Sequence, residues 1–140
     1  MASVRLLGAN EMIKKLRAIA KQYPDVVAAA LYREAQIEVT EMKKRTPVDT
    51  RPNQYYGGRA PHPGQLRNSI HVEVPERRWR TISVTIATGA HVPYAIFVHE
   101  DPDAIHPVGE WKFMESVLRE SQSSMAGRIA RRVHLSQRSE

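Results

Sequence analysis

"RTPVDTRPNQYYGGRAPHPGQLRNSI", residues 45–70, decides how this chain divides. It opens as a tight corner, Thr46-Pro47-Val48-Asp49-Thr50, and closes on Gly64-Gln65-Leu66-Arg67-Asn68-Ser69-Ile70, with residues 51–63 set between the two halves. Pro47 pushes Thr46 toward extended geometry, so a helix must stop there. Asp49 and Thr50 are suited to hold the corner through hydrogen bonds to nearby backbone amides, and Leu66 with Ile70 then starts a buried strand face. The stretch therefore predicts helix before it and sheet after it.

Upstream, Ala28, Leu31, Tyr32, Ala35, Val39 and Met42 share one face of a long helix over residues 25–45, while Arg33, Glu34, Glu38, Glu41 and Lys44 lie away from it. Glu41 and Arg45 stand four apart in the favourable order. Pro24 belongs in that helix's first turn and kinks the chain at Tyr23. Before it, Asn10 is an N-cap candidate and Met12, Leu16, Ile19 and Tyr23 recur at helical spacing.

Downstream the period changes. Ile70, Val72 and Val74 alternate with Ser69, His71 and Glu73, and Ile82, Val84 and Ile86 alternate with Ser83, Thr85 and Ala87, which predicts a hairpin turning through residues 75–80. Tyr94, Ile96 and Val98 against Ala95, Phe97 and His99 predict a third strand, ended by the turn Glu100-Asp101-Pro102-Asp103. Trp111, Met114, Leu118, Met125, Ile129 and Val133 mark a C-terminal helix from about residue 110, weakened by Ser121, Gln122 and Gly127, the last costing about 1 kcal/mol relative to alanine. Arg128, Arg131, Arg132 and Arg138 suit the negative end of its dipole. The expected fold is α+β: an N-terminal kinked helix pair, a small antiparallel sheet of about three strands, and a C-terminal helix packed on one sheet face.

The length of 140 residues suits one domain, with 1–9 as an N-terminal segment, 51–63 as an inserted loop and 134–140 as a flexible tail. Apolar residues at 41% and charged residues at 26% argue for a packed core and against disorder. The longest apolar run, residues 26–32, is far below the roughly 20 residues a membrane helix needs. The N-terminus lacks a secretory pattern and there is no cysteine, so use without export, disulfides or thiolate metal sites is expected. The formal charge is +6, and residues 43–80 carry nine Lys or Arg against Asp49, Glu73 and Glu76, so the whole excess falls there. Such a segment fits phosphate backbones or an acidic protein partner.

Catalytic patterns are weak. The six histidines form none of the usual metal-ligand spacings, and the adjacent trio His99-Glu100-Asp101 would diverge on extended backbone. Asp49, Glu73, Glu100 and Asp101 offer carboxylates for a metal nuclease, yet no spacing selects a pair. There is no nucleophile elbow, phosphate-cradling glycine loop or cysteine nucleophile, so no catalytic, cofactor or metal residue is assigned. The inserted loop instead carries Arg51, Tyr55, Tyr56 and Arg59 around Gly57-Gly58, the residue types that anchor interfaces. They would also stack on single-stranded nucleic acid, but without an OB-like or RRM-like strand pattern protein contact is the better reading. Arg77, Arg78 and Arg80 join them as candidates for a subunit, partner or DNA-facing surface.

Thr46-Pro47-Val48-Asp49-Thr50, Gly64 and Leu66-Arg67-Asn68-Ser69-Ile70 together resemble the "TPVDTG-x-L-x-x-SI" signature of the small tail-component proteins of long-tailed bacteriophages, placed at the head-to-tail joint or as tail-completion factors. Tyr94-Ala95-Ile96-Phe97-Val98-His99-Glu100 is similar to that family's "YA-x-x-V-E-x-G" segment, and Phe113-Met114 with Val117-Leu118 stand in the place of its "PFL-x-PA" helix start. The glycine after the second threonine is displaced to Gly64 by the insertion, and His99-Glu100-Asp101-Pro102 replaces the Glu-x-Gly-Thr turn.

The resemblance implies a non-enzymatic virion protein of the neck or upper tail, assembled in the bacterial host cytoplasm. It implies a homo-oligomeric ring, six copies by analogy, that completes the tail. Its partners would be itself, the head connector or stopper, and tail terminator or tube proteins, with non-specific contact to packaged DNA and no membrane. Thr46, Pro47, Val48, Asp49, Thr50, Gly64, Leu66, Arg67, Ser69, Ile70, Tyr94 and Ala95 would then be structural. The alternative is a small basic nucleic-acid-binding or toxin-like nuclease domain.

Overall fold

A computed structural model describes residues 10–48, 64–79, 81–89, 92, 95–103 and 109–138. Helix α1 (Asn10–Gln22) gives way at one non-helical residue, Tyr23, to α2 (Pro24–Arg45). The break is where the sequence places it: proline occupies the first turn of α2, where its missing amide hydrogen costs nothing. At the other end Thr46 is extended, with φ −67° and ψ 129°, as the following proline demands.

Past the insertion the first element is a helix, not a strand. Gly64 takes φ +82°, a left-handed conformation suited to glycine, and opens α3 (Gln65–Ser69), whose Leu66 is buried, with Ile70 buried just beyond. Leu66 and Ile70 are four apart, a helical spacing that the strand reading absorbed into the alternation of Ile70 and Val72.

Among the described residues four short strands follow: β1 (His71–Val72), β2 (Glu76–Arg78), β3 (Thr81–Ser83) and β4 (Ile86–Ala87). β1 pairs antiparallel with β4 and β2 with β3, so each ladder has two strands and not the expected three. They lie on one hairpin. His71 faces Ala87 and the Glu73 amide donates to the Thr85 carbonyl (2.8 Å), but Glu76 faces Ser83, so Val74 and Pro75 oppose the single residue Val84. That is the arithmetic of a β-bulge, and proline, which has no amide to give to a ladder, is tolerated there.

The segment expected as the third strand is also helical, α4 (Ala95–Glu100). Gly89 takes φ +93°, the Val92 amide donates to the Gly89 carbonyl (3.0 Å) and the Ala95 amide to the Val92 carbonyl (3.1 Å), at the entry to the helix. A six-residue alternation is too short to tell period 2 from period 3.6.

α5 (Phe113–Arg138) closes the chain, runs unbroken through Gly127 and packs chiefly on α2, which also meets α1, β1 and β3. The core has two parts. At the end where α2 finishes, Ala35, Val39, Met42, Leu66, Ile70, Ile86, Val92, Ala95, Phe113, Met114 and Val117 pack together. At the end where α2 begins, Leu16, Val27, Ala30, Met125, Ile129 and Val133 form the second, with Ile82 of the hairpin against it. Helices and a small antiparallel ribbon sharing this core make an α+β fold. The apolar face expected to begin at Trp111 begins instead at Phe113, which is fully buried, while Trp111 is exposed.

Candidate functional site

The corner is held from both sides. The Thr46 hydroxyl, fully buried, donates to the Met42 carbonyl (2.7 Å), and the Arg67 guanidinium donates to the Thr46 carbonyl (3.4 Å), tying the two halves of the interrupted stretch together. The Ser69 hydroxyl donates to the Leu66 carbonyl (2.7 Å), lies 2.8 Å from Thr88 Oγ1 and accepts from the Gly89 amide (3.3 Å).

A partner that no motif announced completes it. The Glu110 amide donates to the Arg45 carbonyl (2.9 Å), and Gly109, at φ +91°, leaves no room for a Cβ, which would stand 2.5 Å from Pro47 N and 2.7 Å from the Arg45 carbonyl oxygen. Pro47 and Val48 are half-buried and Ala95 is buried. Asp49, Thr50 and Tyr94 lie outside the described residues, as do Arg51, Tyr55, Tyr56, Arg59 and Arg80.

Arg45 does not pair along its own helix with Glu41. Its guanidinium donates twice to Glu120 of α5, at 2.8 and 2.6 Å, with Glu110 at 3.6 Å, while Glu41 takes Lys44 (2.6 Å). Arg45 in turn holds the Glu120 carboxyl below the ordinary glutamate range.

Glu34 and Glu38, expected on the solvent face of α2, are 2% and 3% exposed. They meet polar groups of α5 between the two apolar clusters. Arg128 donates to Glu34 (2.6 Å) and Glu38 (3.0 Å), the Ser121 hydroxyl donates to Glu38 (3.0 Å), and Arg132 Nε stands 3.8 Å from Glu34. Burial pushes the Glu38 carboxyl up; the Ser121 hydrogen bond opposes this, neighbouring Glu34 adds to it and Arg128 works against it. Arg128 is thus a buried-pair partner and not only a dipole complement. Two carboxylates four apart on α2 and Ser121, Arg128 and Arg132 at helical spacing on α5 are the available signal, visible only once α2 and α5 are paired.

The hairpin is the opposite case. Arg78 faces Thr81, and Trp79 follows it at the tip of the hairpin. Trp79 has φ +55° and a relative exposure of 105%, and Val74 at the bulge is 81% exposed. Arg77 pairs with Asp25 at the start of α2, and Arg78 with Glu76 (3.4 Å). The basic excess, continuous in sequence, is therefore split by the fold: Lys43, Lys44 and Arg45 stand at the end of α2 and Arg77 and Arg78 beside its start.

At the far end, the His99 ring meets Phe113 edge-on with centroids 5.0 Å apart, its carbonyl accepts from the Lys112 amide (2.8 Å), and its Nδ1 lies 2.5 Å from Glu100 Oε1. Among the described residues no three His, Asp or Glu are grouped to hold a metal, and no helix is long and apolar enough to cross a membrane.

Against known proteins, a family model described as "Bacteriophage HK97-gp10, putative tail-component" matches residues 10–100, which takes in α1 through α4. No curated protein and no solved structure matches the chain.

Proposed function

From the premise that this chain belongs to the HK97-gp10-like family of phage tail components, and so is a structural tail protein of the virion, we propose that it works at the neck or upper tail as one copy of a homo-oligomeric ring, completing the tail and joining it to the head connector. The family match over residues 10–100 carries the reading. What the fold adds is a division of labour that suits a structural part. Glu34 and Glu38 bond Arg128 and Ser121 across the α2–α5 seam. Large apolar groups, Trp79 and Val74, stand in solvent where another protein can cover them. A ring arises when one heterologous contact repeats and its rotation closes, and six copies is the number implied by the resemblance.

The inserted loop, residues 51–63, is the segment to test against the head connector or the tail tube, because its arginines and tyrosines are the residue types that anchor interfaces. Deleting it while joining Thr50 to Gly64 should leave a folded protein that no longer joins heads to tails. Normal infectious particles from that variant would overturn the loop's role. Light scattering on the purified chain separates the ring from a small basic nucleic-acid-binding domain: a monomer that binds DNA with steep salt dependence rejects the ring.

A further inference from the structure

We infer that the subunit contact is head-to-tail: the Trp79 hairpin of one copy docks on the acidic turn beside Trp111 of the next. This rests on the ring reading and names its two faces. Arg77 fixes the hairpin tip beside Asp25, at the start of α2. The acidic turn, Glu100, Asp101 and Asp103, is fixed at the other end, because the His99 carbonyl takes the Lys112 amide just before α5, and Glu110 bonds to Arg45 at the finish of α2. Asp25 and Arg45 are separated by about 30 Å of helix, at 1.5 Å per residue, so the two surfaces of one chain cannot meet each other.

Their chemistry matches. The hairpin end presents an exposed tryptophan with Arg77 and Arg78, and Lys15, Arg17 and Lys21 are exposed along the adjoining α1. The other end presents exposed Asp101 and Asp103 with Trp111, and Lys112 Nζ sits 5.4 Å over the Trp111 ring and 3.9 Å from Glu100. Each surface thus carries one exposed indole, flanked by Arg77 and Arg78 at the tip and by Asp101 and Asp103 at the turn, the turn lying beside Lys112 and the Lys43–Lys44 end of α2; the indoles with this local match of charge favour protein contact over phosphate contact. Because the faces differ, the contact is heterologous, the kind that repeats into a ring.

Complementary half-defective chains test this. A tip variant carries Arg78→Glu and Trp79→Asn; a turn variant carries Asp103→Lys and Trp111→Ser; circular dichroism melts confirm that both fold. By light scattering the wild type should be a ring and each variant alone a monomer. An equimolar mixture should give particles of twice the subunit mass and nothing larger, since only one intact tip meets one intact turn. Variants that assemble like the wild type overturn this contact while leaving the ring standing. Variants that still assemble but lose DNA retention mark the hairpin end as a phosphate surface and also overturn it. A wild type that stays monomeric at every concentration removes the ring reading and this contact together.

Discussion

The two ends of the α2–α5 pair solve different problems. At the corner end the chain closes on itself: the Thr46 hydroxyl and carbonyl, the Arg45 carbonyl and the Ser69 hydroxyl all have partners, and Gly109 lies so close to Pro47 that not one carbon fits between. At the hairpin end Trp79 at the tip and Val74 at the bulge stand in solvent, and Arg77 and Arg78 make only exposed ion pairs, with Asp25 and Glu76. The difference teaches where substitution is costly for folding and where it is costly only for assembly. Buried backbone and polar groups that lose a partner are penalised in the folded chain itself. An exposed indole loses nothing until a partner covers it.

The strongest way to break the corner end is Gly109→Ala. The methyl group would meet the backbone of Pro47 and Arg45, which cannot rotate away, at a φ of +91° that alanine adopts only with strain. Urea unfolding should show a loss of more than about 3 kcal/mol, in the range reserved for a named structural clash. A loss under about 1 kcal/mol would mean that the corner does not close on residues 109–110.

Between the ends lies the charged seam, and Arg128→Ala breaks it by leaving Glu34 and Glu38 facing each other. Removing one partner of a buried pair typically costs about 3 to 5 kcal/mol, and Arg128 keeps 32% of its side chain exposed, so about 2 to 3 kcal/mol is expected by urea unfolding. Replacing Glu34, Glu38 and Arg128 together by leucine should recover most of that loss. No recovery would show that the seam supplies stability beyond what apolar packing can replace.

The same seam predicts a pH dependence. Burial raises the folded carboxyl of Glu38 above the ordinary 4.5, so the folded chain holds that proton more tightly than the unfolded one. Its contribution is fully present below about 4.5 and is lost as pH rises through the folded value. Glu120 and Glu115, lowered by Arg45 and Lys112, act in the opposite sense: their contribution is present above 4.5 and lost as pH falls through their folded values. Glu38→Gln should remove the first component alone. The stability of wild type minus that of the variant should therefore fall as pH rises from 4.5; a flat difference would place Glu38 in solvent.

Much of the corner end was legible because proline and glycine act locally. Pro24 and Pro47 bound α2 as read, and the hairpin turn falls within residues 75–80. What escaped was tertiary. Leu66 and Ile70 fit a strand face and a helical turn equally well until Gly64 takes its left-handed conformation, and Ala95 with Val98 belongs to a helix because Gly89 and Val92 turn the chain into it. Glu34 and Glu38 read as solvent-facing because their partners, Ser121 and Arg128, lie more than eighty residues away. Gly109 carried no signal, since its need for space comes from Pro47 packed against it. Trp79 was passed over between arginines that composition made conspicuous.

Trp79→Asn sharpens the comparison with the smallest effect on folding. The tip of the hairpin puts Trp79 at φ +55°, where tight turns favour asparagine or glycine, and the side chain is fully exposed, so the fold gains nothing from the indole. Asparagine should raise stability by about 0.5 kcal/mol, read as a small increase in Tm, because it accepts the left-handed conformation more readily. A loss of about 1 kcal/mol or more would show that the indole holds the hairpin down, and would bring this end under the same rule as the corner. A gain in stability would mean that a tryptophan sits there against the preference of its own backbone, the result expected if its contacts lie on another molecule.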